Sequence, residues 1–477
     1  MENKKYLYGA SVQGIQAFIF QTNKLKEIVG ASALVENLCK GFFEDEFDVG
    51  KESFITQTAG NIKCIVGENK CKDIVRRFPM LAMQYAPGIT ISQAVIEMSG
   101  DKPTKKEVNE LEKKLRIQRN RQVMPFDVGY MGLERARRTG GVGVEYEKNE
   151  VIDSSTKAKI GRRKEDTLKL FEEIAGGDVK IEASQVPFDL KHITGKDENS
   201  WIAIVHADGN SIGKVVQDIK PGDFKNFSKN LQKATTAAAK TAFKSLGIRL
   251  NDKMKMYPIR PVILGGDDLT VIIRADLALK FTEEYLKAFE EETEGKLNQR
   301  LTACAGIAYI KQNYPFHYGV DLAEALTKEA KKASKKISKD SPPSSLSFYK
   351  VLSSFVESLE EMKKRTHKVA GKEGIYFDHG PYFIHTQDKK PTVGDLVSKM
   401  KGIRENGDGL QGVGKLRHWL TLLEKDLQEA RLYLDRMRQV NAKFYNKMKL
   451  DQEREANTTI IFDVVQLYSF EPQNNKQ

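Results

Sequence analysis

The chain has 477 residues and a formal net charge of +12, from 77 Lys and Arg against 65 Asp and Glu, a length that fits about three domains at roughly 150 residues each and a balance that suits a phosphate-rich partner. Its four cysteines, Cys39, Cys64, Cys71 and Cys304, have neither CxxC pairing nor nearby histidines, which excludes a zinc ribbon or a disulfide framework and points to a reducing cytoplasm. The N-terminus "MENKKYLYGASVQG" lacks the apolar core of a signal peptide, and no apolar stretch reaches the roughly 18 residues that a membrane span needs, so no membrane contact is expected.

The first elements follow a programme of strand, helix, hairpin, helix, strand. "KKYLYGASV" reads as a strand, "GIQAFIF" to "FFEDEF" as a long helical region, "ESFITQTAGNIKCIVGE" as a hairpin, "NKCKDIVRRFPMLAMQYA" as a helix and "TISQAVIEM" as a strand. The Met and aromatic residues of the long helical region recur at helical spacing, which core packing explains without a ligand. Residues 101–190 are strongly charged. They offer a helix at "KKEVNELEKKLRIQRNRQ" and then a glycine-rich basic segment, "RARRTGGVGVEYEKNEVIDSSTKAKIGRRKED", which reads either as a mobile or partner-contacting insertion or as a solvated linker.

The programme then recurs. "WIAIVHADG" is a strand, residues 223–247 a helix with Phe227, Leu231, Ala234, Ala238, Ala242 and Leu246 spaced by three or four, and "IRPVILGGDDLTVII" a hairpin of two β-branched, apolar strands. A helix "ADLALKFTEEYLKAFEEETEGKL", a strand "LTACAGIAYI" and a helix "VDLAEALTKEAKKASKKI" follow. This β-α-β-β-α-β order is the ferredoxin-like arrangement of nucleotidyltransferase palms. Locally, Ala10 to Ile15 lie over Ala207 to Ile212, and Ala59-Gly60-Asn61-Ile62 over Gly265-Gly266-Asp267-Asp268. Beyond residue 352 come a small extended element, "GIYFDHGPYFIHT", and a helical end in which "LRHWLTLLEKDLQEARLYLDRMRQV" carries one apolar stripe. The fold class is therefore α+β. A first palm is expected over residues 1–100, an insertion over 101–190, a second palm over 191–390 and a helical domain over 391–477.

The hairpin acids carry the chemistry. An isolated GGDD is most simply a turn, since Gly and Asp are common turn residues; the flanking apolar strands and the upstream Asp208 argue for more. In this topology Asp208, at the end of the first strand, comes close to Asp267 and Asp268, and adjacent desolvated acids call for a compensating cation. An all-oxygen site of this kind suits Mg²⁺ or Mn²⁺, two of which can activate a hydroxyl and stabilise leaving pyrophosphate. Gly209, Gly265 and Gly266 let backbone approach a triphosphate, with Asn210 and Ser211 donating hydrogen bonds at the start of the next helix. His206 reads as a packed strand residue. Lys331, Lys332, Lys335 and Lys336 read as a solvated helix face, from which Lys331 is singled out for the triphosphate.

The phrases "SVQGIQAFIFQTNKLKEIVGASALVENL", "IAIVHADGNSIGKV", "LGGDDLTVII" and "LTACAGIAYI" together resemble the large Cmr/Csm-type palm subunit of type III CRISPR effector complexes. The resemblance implies two palms packed face to face, with the second making cyclic oligoadenylates from ATP through metals held by Asp208, Asp267 and Asp268. The first palm, with Ser11, Asn61 and Ile62 at those places, would complete the nucleotide interface. It further implies guide and target RNA and other effector subunits as partners, in antiviral defence. Two family features are missing: no His-Asp dipeptide of an HD nuclease domain occurs, and the "RARRTGGVGVE" region has no cysteine for a zinc ribbon, so neither DNase activity nor zinc is expected. Two other readings stand beside the cyclase in an RNA-guided complex. One is a non-catalytic RNA-binding scaffold, and the other a stand-alone signalling cyclase with another nucleotide product. A diguanylate cyclase, which normally pairs two identical palms, ranks last.

Overall fold

The computed structural model of the chain describes residues 4–471 apart from 59, 122–130, 163, 177–180, 195–199, 220–222, 252–253, 354–356, 367–376, 378, 388–389, 405–408 and 455–457. Ala59 of the internal alignment and part of the extended element "GIYFDHGPYFIHT" lie outside the described residues.

The first palm runs β1 (Lys5–Gln13), α1 (Ile15–Phe20), α2 (Leu25–Cys39), α3 (Gly41–Phe47), β2 (Phe54–Thr58), β3 (Asn61–Gly67), α4 (Glu68–Tyr85) and β4 (Thr90–Glu97). Its sheet has the order β2-β3-β1-β4, with β1 antiparallel to both neighbours. Alternation along β1 divides its side chains: Tyr8, Ala10 and Val12 face α2 and α4, whereas Leu7 joins Ala94 and Ile96 on the opposite side.

That opposite side is closed by α5 (Lys105–Arg119), which buries Leu111 and Leu115 against Leu7 and Ile96. A capping box starts the helix, with Thr104 Oγ1 accepting from Glu107 N and the Glu107 carboxylate accepting from Thr104 N. The helix expected in the charged stretch after residue 101 thus covers the first sheet. The basic segment is ordered as well. It forms a hairpin, β5 (Gly143–Glu147) and β6 (Glu150–Asp153), then α6 (Ser154–Ile160), which lies on α2. Lys159, 2 % exposed, donates through Nζ to Phe18 O at 2.8 Å and sits 4.3 Å from the Phe18 ring centroid, while Arg138 bridges Glu27 of α2 and Glu150 of β6. The segment therefore docks instead of moving freely.

After α7 (Lys164–Ala175) and α8 (Leu190–Thr194), the second palm runs β7 (Trp201–Gly209), α9 (Ile212–Asp218), α10 (Phe224–Ser245), β8 (Ile259–Gly265), β9 (Asp268–Arg274), α11 (Ala275–Leu297), β10 (Ala303–Lys311) and α12 (Phe316–Ile337). The order β10-β7-β9-β8 repeats that of the first palm, and β11 (Ser345–Lys350) and β12 (Tyr382–Phe383) extend the sheet beyond β10. One face, with Ala203, Val205 and Ala207, packs on α10 and α11. The other, with Ile202, Ile204 and Ile272, packs on α12 and on α2 of the first palm. Helix α2 therefore lies between the two sheets, and Ser32 at its middle donates to Val262 O of β8.

Helix α13 (Leu359–Thr366) precedes β12. The helical end comprises α14 (Val393–Arg404), α15 (Gly409–Lys425), α16 (Leu427–Val440), α17 (Ala442–Lys447), α18 (Asp451–Arg454) and α19 (Ile460–Tyr468), and it shares a core with the second palm. Its apolar stripe is broken at Asp426, whose carboxylate accepts from Gln428 N and Glu429 N and so starts a new helix.

Candidate functional site

Strand pairing brings the three acids together. Ala207 lies opposite Leu269 in the β7–β9 ladder and Gly265 opposite Asp268 in the β8–β9 ladder, so Asp208 and Asp268 stand side by side at the open end of the strands, with Asp267 in the turn. One carboxylate oxygen of each lies within 4.8 Å of the others. Among the described residues this is the one group of three or more His, Cys, Asp or Glu side chains so close.

The turn owes its shape to specific contacts. Gly266 has φ +62° at the first position of a two-residue hairpin loop, where an L side chain would be strained. Helix α10 then clamps it: Gly266 N donates to Gln232 Oε1 at 2.6 Å, Thr235 Oγ1 donates to Gly266 O at 2.6 Å, and Gln232 Nε2 donates to Leu264 O at 3.3 Å. Behind the triad, Gly209 gives Asp267 room, since a β-carbon there would stand 3.0 Å from Asp267 Cβ.

Burial raises the Asp267 carboxyl above the carboxylate range and the neighbouring Asp208 charge adds to it. Asp268 keeps an outer face open to water, yet burial of its inner side, with the charges of Asp208 and then Asp267 adding to it, pushes it up to about 8. Three oxygen donors that repel one another are the donor set of a hard divalent cation. The residues fit Mg²⁺ or Mn²⁺, and the ammonium of Lys331 supplies the nearest positive charge: it pairs with Asp208 Oδ2 and donates to Gly209 O at 2.8 Å. His206, 7 % exposed, faces Thr270 Oγ1 at 3.0 Å and is lowered to about 4, chiefly by burial, so it is a neutral packed residue as its strand position indicates.

A cleft of about 1210 Å³ opens between the palms beside these acids. Asp267, Asp268, Gly265 and Gly266 line it from the second palm, Ser11, Gln13, Gly14 and Asn61 from the first. Cations edge it: Lys40, Lys51, Arg119, Lys225, Lys229 and Lys233.

The sequence-predicted residues divide accordingly. Asp208, Asp267 and Asp268 converge, with Gly209, Gly265, Gly266 and Lys331 around them. Asn210 is turned away from the cleft: it is 4 % exposed, and its Nδ2 donates to Thr302 Oγ1 at 3.0 Å. Ser211 takes φ +56° before α9, as Gly14 takes φ +59° before α1, which supports the internal repeat. The ladders correct that repeat by one residue. Ser11 pairs with Asn61 where Asp208 adjoins Asp268, so the counterparts of Asp267 and Asp268 are Gly60 and Asn61 rather than Asn61 and Ile62. The first palm lacks the carboxylates either way. Gln232 and Thr235 carry no mark in the sequence, because a polar pair on an alanine-rich helix gives no signal of what it faces.

Residues 201–341 match the family model described as Cas10/Cmr2, second palm domain. No curated protein matches the chain. Among solved structures it resembles a Csm1–Csm4 cassette in complex with AMPPNP, at TM-score 0.58 and 12 % identity, and another in complex with cA4, at TM-score 0.54 and 14 % identity, each over 98 % of this chain and 70 % of theirs. A Csm1–Csm4 cassette in complex with one ATP aligns at TM-score 0.53 and 14 % identity, over 99 % of this chain and 70 % of the other. At such identities the likeness establishes the fold, a pair of palms with α+β architecture.

Proposed function

We propose that this chain, whose residues 201–341 carry a Cas10/Cmr2-type second palm, is a divalent-metal-dependent nucleotidyl cyclase that joins ATP into cyclic oligoadenylates and releases pyrophosphate. The observation that carries the reading is the convergence of Asp208, Asp267 and Asp268 at the edge of a cleft walled by cations from both palms. The AMPPNP, ATP and cA4 complexes of the Csm1–Csm4 cassettes support ATP as substrate and partner subunits in an RNA-guided type III complex with guide and target RNA.

Asp208, Asp267 and Asp268 would hold Mg²⁺ or Mn²⁺, which supplies activation of an attacking ribose hydroxyl and charge neutralisation at the leaving pyrophosphate. The residues of the chain do the positioning. Gln232 and Thr235 fix the hairpin tip, and with it the two acids of the turn. Gly209, Gly265 and Gly266 leave backbone open to the triphosphate, and the ammonium of Lys331 can turn from Asp208 to a phosphate oxygen. In the first palm Ser11 and Asn61 replace acids, so that wall admits a nucleotide without competing for cations.

The experiment is incubation of purified chain with ATP and Mg²⁺ or Mn²⁺, with and without guide RNA, target RNA and partner subunits, read by mass spectrometry beside Asp267→Ala/Asp268→Ala. Cyclic oligoadenylate from the unmutated chain alone supports the proposal. Absence of product in every combination leaves the non-catalytic scaffold as the reading.

A further inference from the structure

The acids occupy one end of β7; the other end, eight residues away and so about 26 Å distant, carries a cluster of opposite sign. Trp201 begins β7 and pairs across the ladder with Lys311, the last residue of β10. Lys311 Nζ lies 4.5 Å from the Trp201 ring centroid, and Lys350 Nζ, from the end of β11, lies 4.9 Å from it and 4.6 Å from that of Phe470. Lys350 also donates to Ser469 Oγ at 2.6 Å. Arg417 of α15 is near enough for its charge to bear on Lys350.

None of these three cations forms an ion pair among the described residues, although the chain has many such pairs elsewhere. Lys350 is lowered to about 8 first by burial and then by Arg417 and Lys311, with no carboxylate pulling the other way. Packing two like charges beside the half-buried ammonium of Lys350 is unfavourable by itself; an anion would relieve it. The aromatic faces of Trp201 and Phe470 hold the ammonium groups in place by cation–π attraction, so the cluster is organised before any anion arrives. Lys311 and Arg417 are exposed.

We propose that Lys311 and Lys350 at the Trp201 ring, together with Arg417 near Lys350, form a phosphate-binding site that takes the backbone of a single-stranded RNA, separate from the acid-lined cleft. A polymer is favoured over a free nucleotide by the site's openness and by the chain's excess of positive charge, which steers polyanions toward it.

The test measures binding of a short single-stranded RNA to the full chain across a salt series, for the unmutated protein, Lys311→Gln/Arg417→Gln and Lys350→Met, with ATP binding measured in parallel. The first variant changes exposed residues only, so its fold is safe if Lys350→Met fails to fold. The expected result is RNA affinity about tenfold weaker and a log–log salt slope shallower by about 1–2, one for each phosphate no longer neutralised, with ATP affinity unchanged. Unaltered RNA affinity and slope in Lys311→Gln/Arg417→Gln overturn the proposal. A loss confined to ATP binding also overturns it, by assigning the cations to a free nucleotide.

Discussion

Gly209 and Asp267 face each other across the acid-bearing end of the second sheet with no room for a further carbon: an added β-carbon would meet Asp267 Cβ and Oδ2, each at 3.0 Å, and Ile212 Cγ1 at 2.6 Å. Gly209→Ala should therefore displace the Asp267 carboxylate while the apolar strands keep the fold. Product formation is expected to fall about a hundredfold, the scale of an ångström-sized misplacement. Circular dichroism should stay native; full activity in this variant would mean that Asp267 tolerates movement.

Removing the acids tests the site itself. Asp267→Ala/Asp268→Ala should abolish synthesis without lowering the melting temperature of the metal-free protein, because it relieves repulsion among crowded carboxylates. Mg²⁺ or Mn²⁺ should raise the melting temperature of the unmutated chain and leave that of the double variant unchanged. An equal rise in both proteins would place the stabilising ion elsewhere.

The same groups give stability a defined pH dependence. Asp268 holds its proton up to about 8 in the folded state, far above the ordinary carboxylate value, so folding retains a proton that the unfolded chain has lost. Its contribution is fully present below the ordinary carboxylate range, near pH 4, and is lost as pH rises toward about 8. His206 works in the opposite sense: lowered to about 4, it favours the folded state above the ordinary histidine value and loses that contribution as pH falls. Chemical denaturation at several pH values, without metal, should show the unmutated chain losing stability relative to Asp267→Ala/Asp268→Ala as pH rises from 4 to 8. Parallel curves would contradict the raised carboxyls.

Gln232 and Thr235 should matter without touching substrate. Each hydrogen bond to the turn contributes about 1 kcal/mol, so Gln232→Ala or Thr235→Val is expected to lower kcat about tenfold, and the pair more. Metal affinity, followed by the thermal shift, should weaken in parallel. A change in KM for ATP with kcat intact would instead make Gln232 a substrate contact.

Helix α5 offers a test away from the chemistry. Leu111 is wholly buried against the first sheet, and Leu111→Ala should cost about 2–5 kcal/mol of stability, measured by urea denaturation. A helix belonging to a loose insertion would show almost no loss.

The acid site was legible in sequence because its signals are local. A strand ending in Asp208 and a hairpin tipped by Gly266, Asp267 and Asp268 fix their own geometry through alternation and turn chemistry, and β pairing does the rest. The docked insertion was not legible for a corresponding reason. The core face of α5 rests chiefly on Leu111 and Leu115 amid lysines and glutamates, and the anchor of α6 is Lys159, a residue type that usually marks a surface. Asn210 misled because its position at a strand end suggests a ligand, whereas its actual partner, Thr302, lies 92 residues downstream. The one-residue offset of the repeat has the same origin: identity across a short turn is ambiguous, and only the ladder of Ser11 with Asn61 counts the residues.

Helix α2 belongs by connectivity to the first palm and by contact to both sheets. Deleting the first palm, which has no such acids, would therefore strip the second sheet of a covering at β8, where Val262 is wholly buried. The repeat is thus not two separable halves: a helix from the half without the acids forms part of the interior of the half that has them.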